Sequence, residues 1–413
     1  MSNKQISVLS LPVIVAALGY FVDIYDLLLY SIIRVPSLKS LGLNSEQIVK
    51  EGLHIINVQM MGLLLGGIIW GILGDKKGRL KVLFASIILY SLGNIANGFV
   101  HNVHEYAIVR FITGLGLAGE LGAGITLVSE IIPKEKRGIA TSLVAGIGLT
   151  GAVFAYFIRE QFVQADGSGW RICYFIGGGL GFLLLLLRVG VLESGMFKSI
   201  EHSGQVNKGN FLMLFTKVKR LKKYLTAILI ALPNWYVIGI LISFSDKFSA
   251  EMHVKGPVDP GKAVMIAYAA ISIGDILIGF ISQWFKSRKK SLYLFHIITI
   301  IAVVWYFNLQ GQSAAMAYTV IALLGFGTGF WAMFVTMAAE QFGTNIRATV
   351  ATTAPNMARG SLNLVSLLFV GLQSSQGYFK SGWITGIVVF TIAFISLALT
   401  EETFGKDLNY LEV

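Results

Sequence analysis

An all-α membrane protein with twelve transmembrane helices in two six-helix halves is the fold the sequence predicts, and three observations predict it. First, 55% of the 413 residues are hydrophobic and only 13% are charged, against about 25% charged in an ordinary soluble domain. Thirty-three Lys+Arg and 22 Asp+Glu cannot cover a water-facing surface on a chain this apolar. Second, apolar stretches near the length that crosses a bilayer, about 20 residues each, follow one another along the chain. Third, polar and basic residues collect between the stretches, and one long polar interval divides them six and six.

The first half, residues 1–192, carries apolar runs near 9–33, 53–74, 82–100, 105–131, 139–158 and 170–192. The basic loops 75–81 and 132–138 separate the second from the third and the fourth from the fifth. The interval 193–222, with Lys198, Lys208, Lys217, Lys219 and Arg220, is the expected cytoplasmic linker. The second half, residues 223–413, repeats the pattern with runs near 223–246, 262–285, 291–309, 313–338, 348–372 and 382–400, then a short cytoplasmic tail. The opening MSNKQISVLSLP has one lysine and no small-residue cleavage site, so it is expected to be retained.

The net charge of +11 follows the loops. With the N-terminus inside, 22 of the 33 Lys+Arg fall on the cytoplasmic side, nine on the other, and Arg110 and Arg359 within spans. Retention of basic loops on the cytoplasmic side accounts for this asymmetry, and both termini are expected there. The basic loops have few aromatic residues, which argues against nucleic acid as a partner. No Asn-x-Ser/Thr acceptor occurs, in keeping with a bacterial inner membrane. A single cysteine, Cys173, excludes a disulfide framework and a Cys-based metal cluster. No metal or cofactor is expected, and the working unit is expected to be a monomer in lipid.

An ionisable side chain inside a span costs several kcal/mol, about 3 by insertion scales, unless it faces protein or a water-filled cavity, so each is a functional candidate. In the first span Asp23 and Asp26 share a stripe with Gly19 and Tyr30. Two carboxylates on one face in low dielectric favour holding a proton, so Asp23 and Asp26 are candidates for proton coupling. Arg110 in the fourth span cannot discharge and needs a carboxylate, a carbonyl or water, and an acid of the first span would serve. The run Gly114 to Gly124 after it reads as close helix packing, with Glu120 in need of a polar partner.

The eleventh span offers Thr352, Asn356, Arg359 and Asn363 as one polar stripe, with Pro355 weakening the local hydrogen bonding. Arg359 would grip a substrate carboxylate or answer an acid, and Asp275 of the eighth span is the expected acid. Asn234, Trp235 and Tyr236 of the seventh span and Trp331 of the tenth are further candidate cavity liners. His54 and Asn57 read as interfacial. No Ser-His-Asp arrangement, HExxH, Walker A or CxxC is present, so no catalytic residue is expected.

These motifs resemble the major facilitator superfamily, in particular its metabolite:proton symporters and sugar porters. The loop Gly71-Ile-Leu-Gly-Asp75-Lys-Lys-Gly78-Arg79-Leu-Lys81 is similar to the family's GxLxDrxGRrx motif. Arg110, Gly114, Gly119-Glu120, Gly122, Glu130, Pro133 and Arg137-Gly138 resemble its RxxxGxxxGGExG…ExxPxxxRG pattern. Further similarities are Trp170-Arg171-Ile172, Arg188 with Glu193-Ser194, Glu340 with Phe342, Arg347-Ala348-Thr349, and Glu402-Thr403 with Gly405. The resemblance implies proton coupling through Asp26 of the Tyr25-Asp26 pair and Arg110. It also implies a cytoplasmic gate of Asp75, Arg79, Glu130 and Arg137, with Glu340 and Arg347 in the second half. The second-half loop motif departs from the family, with Gln283 where Asp is usual, and the seventh span lacks the QxxGxN-like signature of sugar porters.

The expected function is proton-coupled uptake of a small organic acid or zwitterion by alternating access between the two halves. A facilitator or exporter of a sugar or polyol without proton coupling is the alternative, separable by the pH dependence of uptake. A membrane receptor would need a signalling domain, and an intramembrane enzyme a catalytic centre.

Overall fold

The computed structural model describes residues 10–406, except 78, 121, 123, 126–127, 129–131, 133, 165 and 194–210. Among these residues the chain is helical throughout, with one isolated bridge, Lys255 to Ser313, in place of any strand. Among the described residues nine segments are long and apolar enough to cross a membrane. One of them, 345–399, is two spans joined at a kink, and the third and fourth spans complete the twelve.

Several helices run past the apolar runs that announce them. The first is Leu11–Ser40 and the second Ser45–Lys77, because polar residues at a span's ends can stay helical outside the hydrocarbon layer. The seventh begins at Val218, within the expected linker, after a short 3-10 turn at Phe211–Phe215. The rest of that linker, 194–210, lies outside the described residues.

Among the described residues five spans are interrupted, the fifth for one residue, Thr150, between Lys134–Leu149 and Gly151–Phe162. The fourth leaves its helix Val103–Leu117 at Ala118 and Gly119. The seventh runs Val218–Ile230, restarts at Leu232–Tyr236 with Pro233 in its first turn, and continues as a π-helical stretch, Val237–Ile242. The tenth breaks between Ala314–Gly327 and Trp331–Glu340. The eleventh stays helical through Pro355 over Thr344–Gly360 and turns at Ser361. Interrupted backbone at membrane depth is tolerated where it is buried in protein or lines a cavity.

The halves meet along two seams. The second span packs on the eleventh, where a Cβ at Gly67 would stand 2.6 Å from Asn356. The fifth meets the eighth, where Ser272 Oγ donates to the Gly146 carbonyl at 2.6 Å. Within the first half, the glycines of the fourth span let backbones touch: a Cβ at Gly114 would lie 2.4 Å from the Gln59 carbonyl oxygen. Outward-facing Leu186, Leu364 and Ile387 are 60–71% exposed, a lipid-facing belt that a water-soluble chain would bury. The bundle end holding residues 285–290 and 400–406 is here the terminal end, and the opposite end the far end.

Candidate functional site

The interruptions gather around the bundle's centre, where the ionisable side chains also lie. Asp23, Asp26, Arg110, Glu120, Asp275 and Arg359 are all at most 1% exposed. Each stands where helical spacing turns it inward.

Asp26 and Arg110 are neighbours, but not the carboxylate–guanidinium pair the sequence suggests. Arg110 Nη2 donates to the backbone carbonyl of Asp26 at 3.0 Å, and its Nε to Gln59 Oε1 at 3.2 Å. Its guanidinium lies 5.6 Å from the Tyr174 ring centroid. Neither carboxylate oxygen of Asp26 or of Asp23 has a hydrogen-bond partner among the described residues, and Arg110 Nη1 has none either. The first span therefore presents two bare carboxyl groups, three residues apart, to the protein interior.

Arg359 also differs from expectation. Asp275 is not its acid: Asp275 Oδ1 accepts from the Ala332 backbone N–H at 2.9 Å, holding the first turn of the restarted tenth span. The acid within electrostatic reach of Arg359 is Asp23, from the other half. Arg359 Nη1 donates to Asn356 Oδ1 at 3.1 Å, its Nε has no partner among the described residues, and its guanidinium lies 5.6 Å from the Trp331 ring centroid. Asn356 Nδ2 in turn donates to the Ala118 carbonyl at 2.8 Å, tying the polar stripe to the break in the fourth span. Asn363 stands on the other side of the Ser361 turn and donates back to the Gly360 carbonyl at 3.0 Å.

Trp235 and Trp331 meet edge to face, 6.1 Å between centroids, and among the described residues neither indole N–H nor Asn234 Oδ1 has a partner. Tyr236 does not join them. Its hydroxyl donates to the Gly382 carbonyl at 2.7 Å and its ring packs on Phe390, so it fixes the seventh span to the twelfth.

Glu120 finds the polar partner it needs in Arg188 of the sixth span: Nη1 donates to Oε2 at 3.0 Å and Nη2 to Oε1. Both residues are buried. Gln59, which holds Arg110 while donating to the Leu27 carbonyl at 3.0 Å, escaped the sequence reading. The signal available was a second amide, two residues after Asn57, in the first part of an apolar run.

At the terminal end, Glu340 pairs with Arg288, Nη2 to Oε1 at 3.3 Å, and accepts from Thr403 Oγ1 at 2.6 Å. Arg347 donates to the Phe342 carbonyl from Nε and Nη2. The expected gate residue Glu130, and the side chains of Asp75, Arg79 and Arg137, lie outside the described residues. At the far end two ties cross between halves that the sequence did not announce. Arg159 forks onto Asp259, 2.8 and 3.1 Å, and Arg34 donates to the Ser243 carbonyl at 2.7 Å, its guanidinium over the Phe244 ring.

A family model described as Major Facilitator Superfamily matches residues 16–366. The niacin transporter NiaP of Acinetobacter baylyi (strain ATCC 33305 / BD413 / ADP1) is 27% identical over 433 residues, covering 96% of this chain and 94% of the relative. The sialic acid transporter NanX of Escherichia coli (strain K12) is 25% identical over 390 residues, covering 93% and 91%. Among solved structures, the proton:xylose symporter XylE bound to 6-bromo-6-deoxy-D-glucose aligns with a TM-score of 0.72 at 17% identity, over 96% of this chain and 97% of XylE. With the match over most of the chain and the twelve-helix fold in agreement, the chain belongs to the Major Facilitator Superfamily and is a membrane transporter.

Proposed function

We propose that the protein imports a small organic acid or zwitterion together with protons, by rocking of residues 1–192 against 223–413 around the central site. The observation that carries this reading is the pair of bare carboxyl groups, Asp23 and Asp26, buried beside two arginines that each keep an unpartnered N–H. A buried carboxylate is costly unless it is protonated or faces a cation. Asp26 therefore has two stable conditions: protonated, with Arg110 held by Gln59 and backbone alone, or ionised and drawn to Arg110. Switching between them changes which packing of the first and fourth spans is favoured, and so links the proton gradient to the direction the site faces.

The substrate's carboxylate docks on Arg359, whose guanidinium lies over Trp331, itself packed on Trp235, and Asn234 and Asn363 are the further polar groups offered to it. A planar guanidinium bonds a carboxylate at two points, and the indole faces supply apolar walls. Niacin and sialic acid, named for two relatives, are both carboxylic acids, and XylE is described as a proton symporter. Asp75, Arg79, Glu130 and Arg137 close the terminal end of the first half, with Glu340 and Arg347 doing so in the second. Both termini face the cytoplasm of a bacterial inner membrane, following the distribution of basic loops, and the chain works as a monomer.

The test is Asp26→Asn in proteoliposomes. Uphill uptake driven by a pH gradient should vanish while counterflow exchange persists, because a permanently neutral group permits exchange but carries no proton. Wild-type accumulation by that variant would overturn the assignment.

A further inference from the structure

We infer that His296 of the ninth span is a positioning residue for the substrate site: its ring ties together the two helix breaks that present Trp235 and Trp331, the apolar walls of the site in the reading above, on which this rests. Among the described histidines it alone is buried, at 0% exposure. The seventh span creates the need it meets. In a continuous helix the Ile230 carbonyl would accept from the N–H four residues on. Here residue 233 is proline, which has no N–H to offer, and the Asn234 N–H turns instead to the Ala231 carbonyl at 3.2 Å. Ile230, the last residue of the helix Val218–Ile230, is left with an orphaned carbonyl at membrane depth, where no bulk water can answer it. His296 Nε2 lies 3.0 Å from that oxygen.

The other ring nitrogen faces an oxygen that needs it less. Nδ1 lies 2.8 Å from the Leu292 carbonyl, one turn back on the same helix, Arg288–Tyr306. In a regular helix that oxygen is already served by the His296 backbone N–H. Ile230 has no other donor among the described residues, so the tautomer the fold requires carries its proton on Nε2.

The same ring also reaches the tenth span. It stacks on Phe330, 4.7 Å between centroids and 29° between planes, and meets Phe394 of the twelfth span edge to face at 5.8 Å. Phe330 directly precedes Trp331, and its carbonyl opens the restarted helix by accepting from the Phe334 N–H at 2.9 Å. On the other side, the short helix Leu232–Tyr236 leads from the Ile230 carbonyl to Asn234 and Trp235. One imidazole therefore holds both chains where they leave or re-enter their helices, and the tryptophans that follow meet at 6.1 Å. Asp275 fixes the tenth-span restart separately, through the Ala332 N–H.

The test is fluorine NMR of the full chain labelled with fluorotryptophan, its Trp235 and Trp331 signals assigned through Trp235→Phe and Trp331→Phe, with amide hydrogen exchange over 234–236 followed in parallel. His296→Leu removes both donor and ring. Both signals should move, and exchange should quicken by about tenfold, the order that one lost hydrogen bond gives. Glutamine carries an N–H as many bonds from Cβ as histidine Nε2, so His296→Gln should return the Trp235 signal and the exchange rate to near wild type. His296→Phe keeps a ring on Phe330 without the donor; it should move Trp235 alone, and it serves if His296→Leu is not recovered folded. Trp305 and Trp383, in the same half, should hold still throughout. A Trp235 signal unmoved by the loss of the donor would overturn the positioning role, as would equal disturbance of Trp235 by Gln and Leu. Shifts of Trp305 and Trp383 as large as that of Trp235 would also overturn it, since they mean a general loosening of the half. Neither measurement uses a substrate or a proton gradient, so a failure here is separate from failure of the proton-coupled reading, which Asp26→Asn tests.

Discussion

Arg359 has one N–H committed to Asn356, an Nε without a partner among the described residues, and its guanidinium over Trp331. Lysine at this position would keep the charge but lose the planar fork. Arg359→Lys should therefore weaken binding of a carboxylate substrate by roughly tenfold or more, since hydrogen bonds to charged groups contribute about 1.5–3 kcal/mol. Calorimetry on the purified variant reads this directly, and unaltered affinity would remove Arg359 from the substrate site. Asp275 gives the opposite expectation. Its contact is a backbone N–H, which an amide oxygen accepts equally well, so Asp275→Asn should keep binding while Asp275→Ala lowers thermal stability by about 1–3 kcal/mol. The stripe carrying Asn356 and Arg359 was legible because intramembrane polar residues are rare and a helix fixes which of them share a face. Which acid answers Arg359 was not, since periodicity places a residue on a face but says nothing of the helix opposite. Asp23 lies in the other half, and its approach depends on how the halves pack.

At the scale of the helices, the apolar runs announce the spans but not where they break. Pro355 weakens the hydrogen bonding of the eleventh span, yet the helix continues through it and turns only at Ser361, beside Arg359. The junction of the eleventh and twelfth spans turns on Gly377, at φ 74° and ψ 179°, a region essentially reserved for glycine. Glu251 of the far-end helix Ser245–Glu251 then accepts from the backbone N–H of Tyr378 and Phe379, at 2.7 and 3.1 Å, and starts the twelfth helix. An added Cβ at Gly377 would stand 2.8 Å from that carboxylate. Gly377→Ala should destabilise the protein by about 1–3 kcal/mol, seen as an earlier thermal transition in detergent. At the other end of the twelfth span Glu402 caps the ninth, Arg288–Tyr306, accepting from the backbone N–H of Arg288 and Lys289 and from Ser287 Oγ. Partial burial pushes the Glu402 carboxyl up, but these bonds and one from Phe404 outweigh it and hold its pKa below the usual value. A carboxylate with a depressed pKa stabilises the fold above its unfolded value, about 4.3, and that contribution is lost as pH falls through the lower folded value. Glu402→Gln should therefore flatten the acid limb of the stability profile, measured by thermal unfolding below about pH 5.

For the molecule as a whole, the far end is tied shut between halves by side chains that sequence reading assigned only to loop charge. Arg159 closes the seam between the fifth and eighth spans by forking onto Asp259, the residue whose Oδ1 also caps the eighth span at Lys262. Arg34 adds a tie between the first and seventh spans by reaching the Ser243 carbonyl next to the seventh span's π-helical stretch. Alternating access requires these contacts to part when the site opens toward the far end, so their strength sets part of the balance between the two orientations. Arg159 and Asp259 are partly exposed, so solvent screening limits their pair to about 1 kcal/mol. Removing it with Arg159→Ala should raise the population open at the far end by about fivefold, since 1.4 kcal/mol is a factor of ten. Spin labels placed across the far ends of the fifth and eighth spans would report the shift as a longer distance. The same variant should speed labelling of cysteines introduced at that end and slow it at the terminal end, because one rocking motion opens one side as it closes the other. A local loosening would change the far end alone, and that result would separate an ornamental surface pair from a latch on the transport cycle.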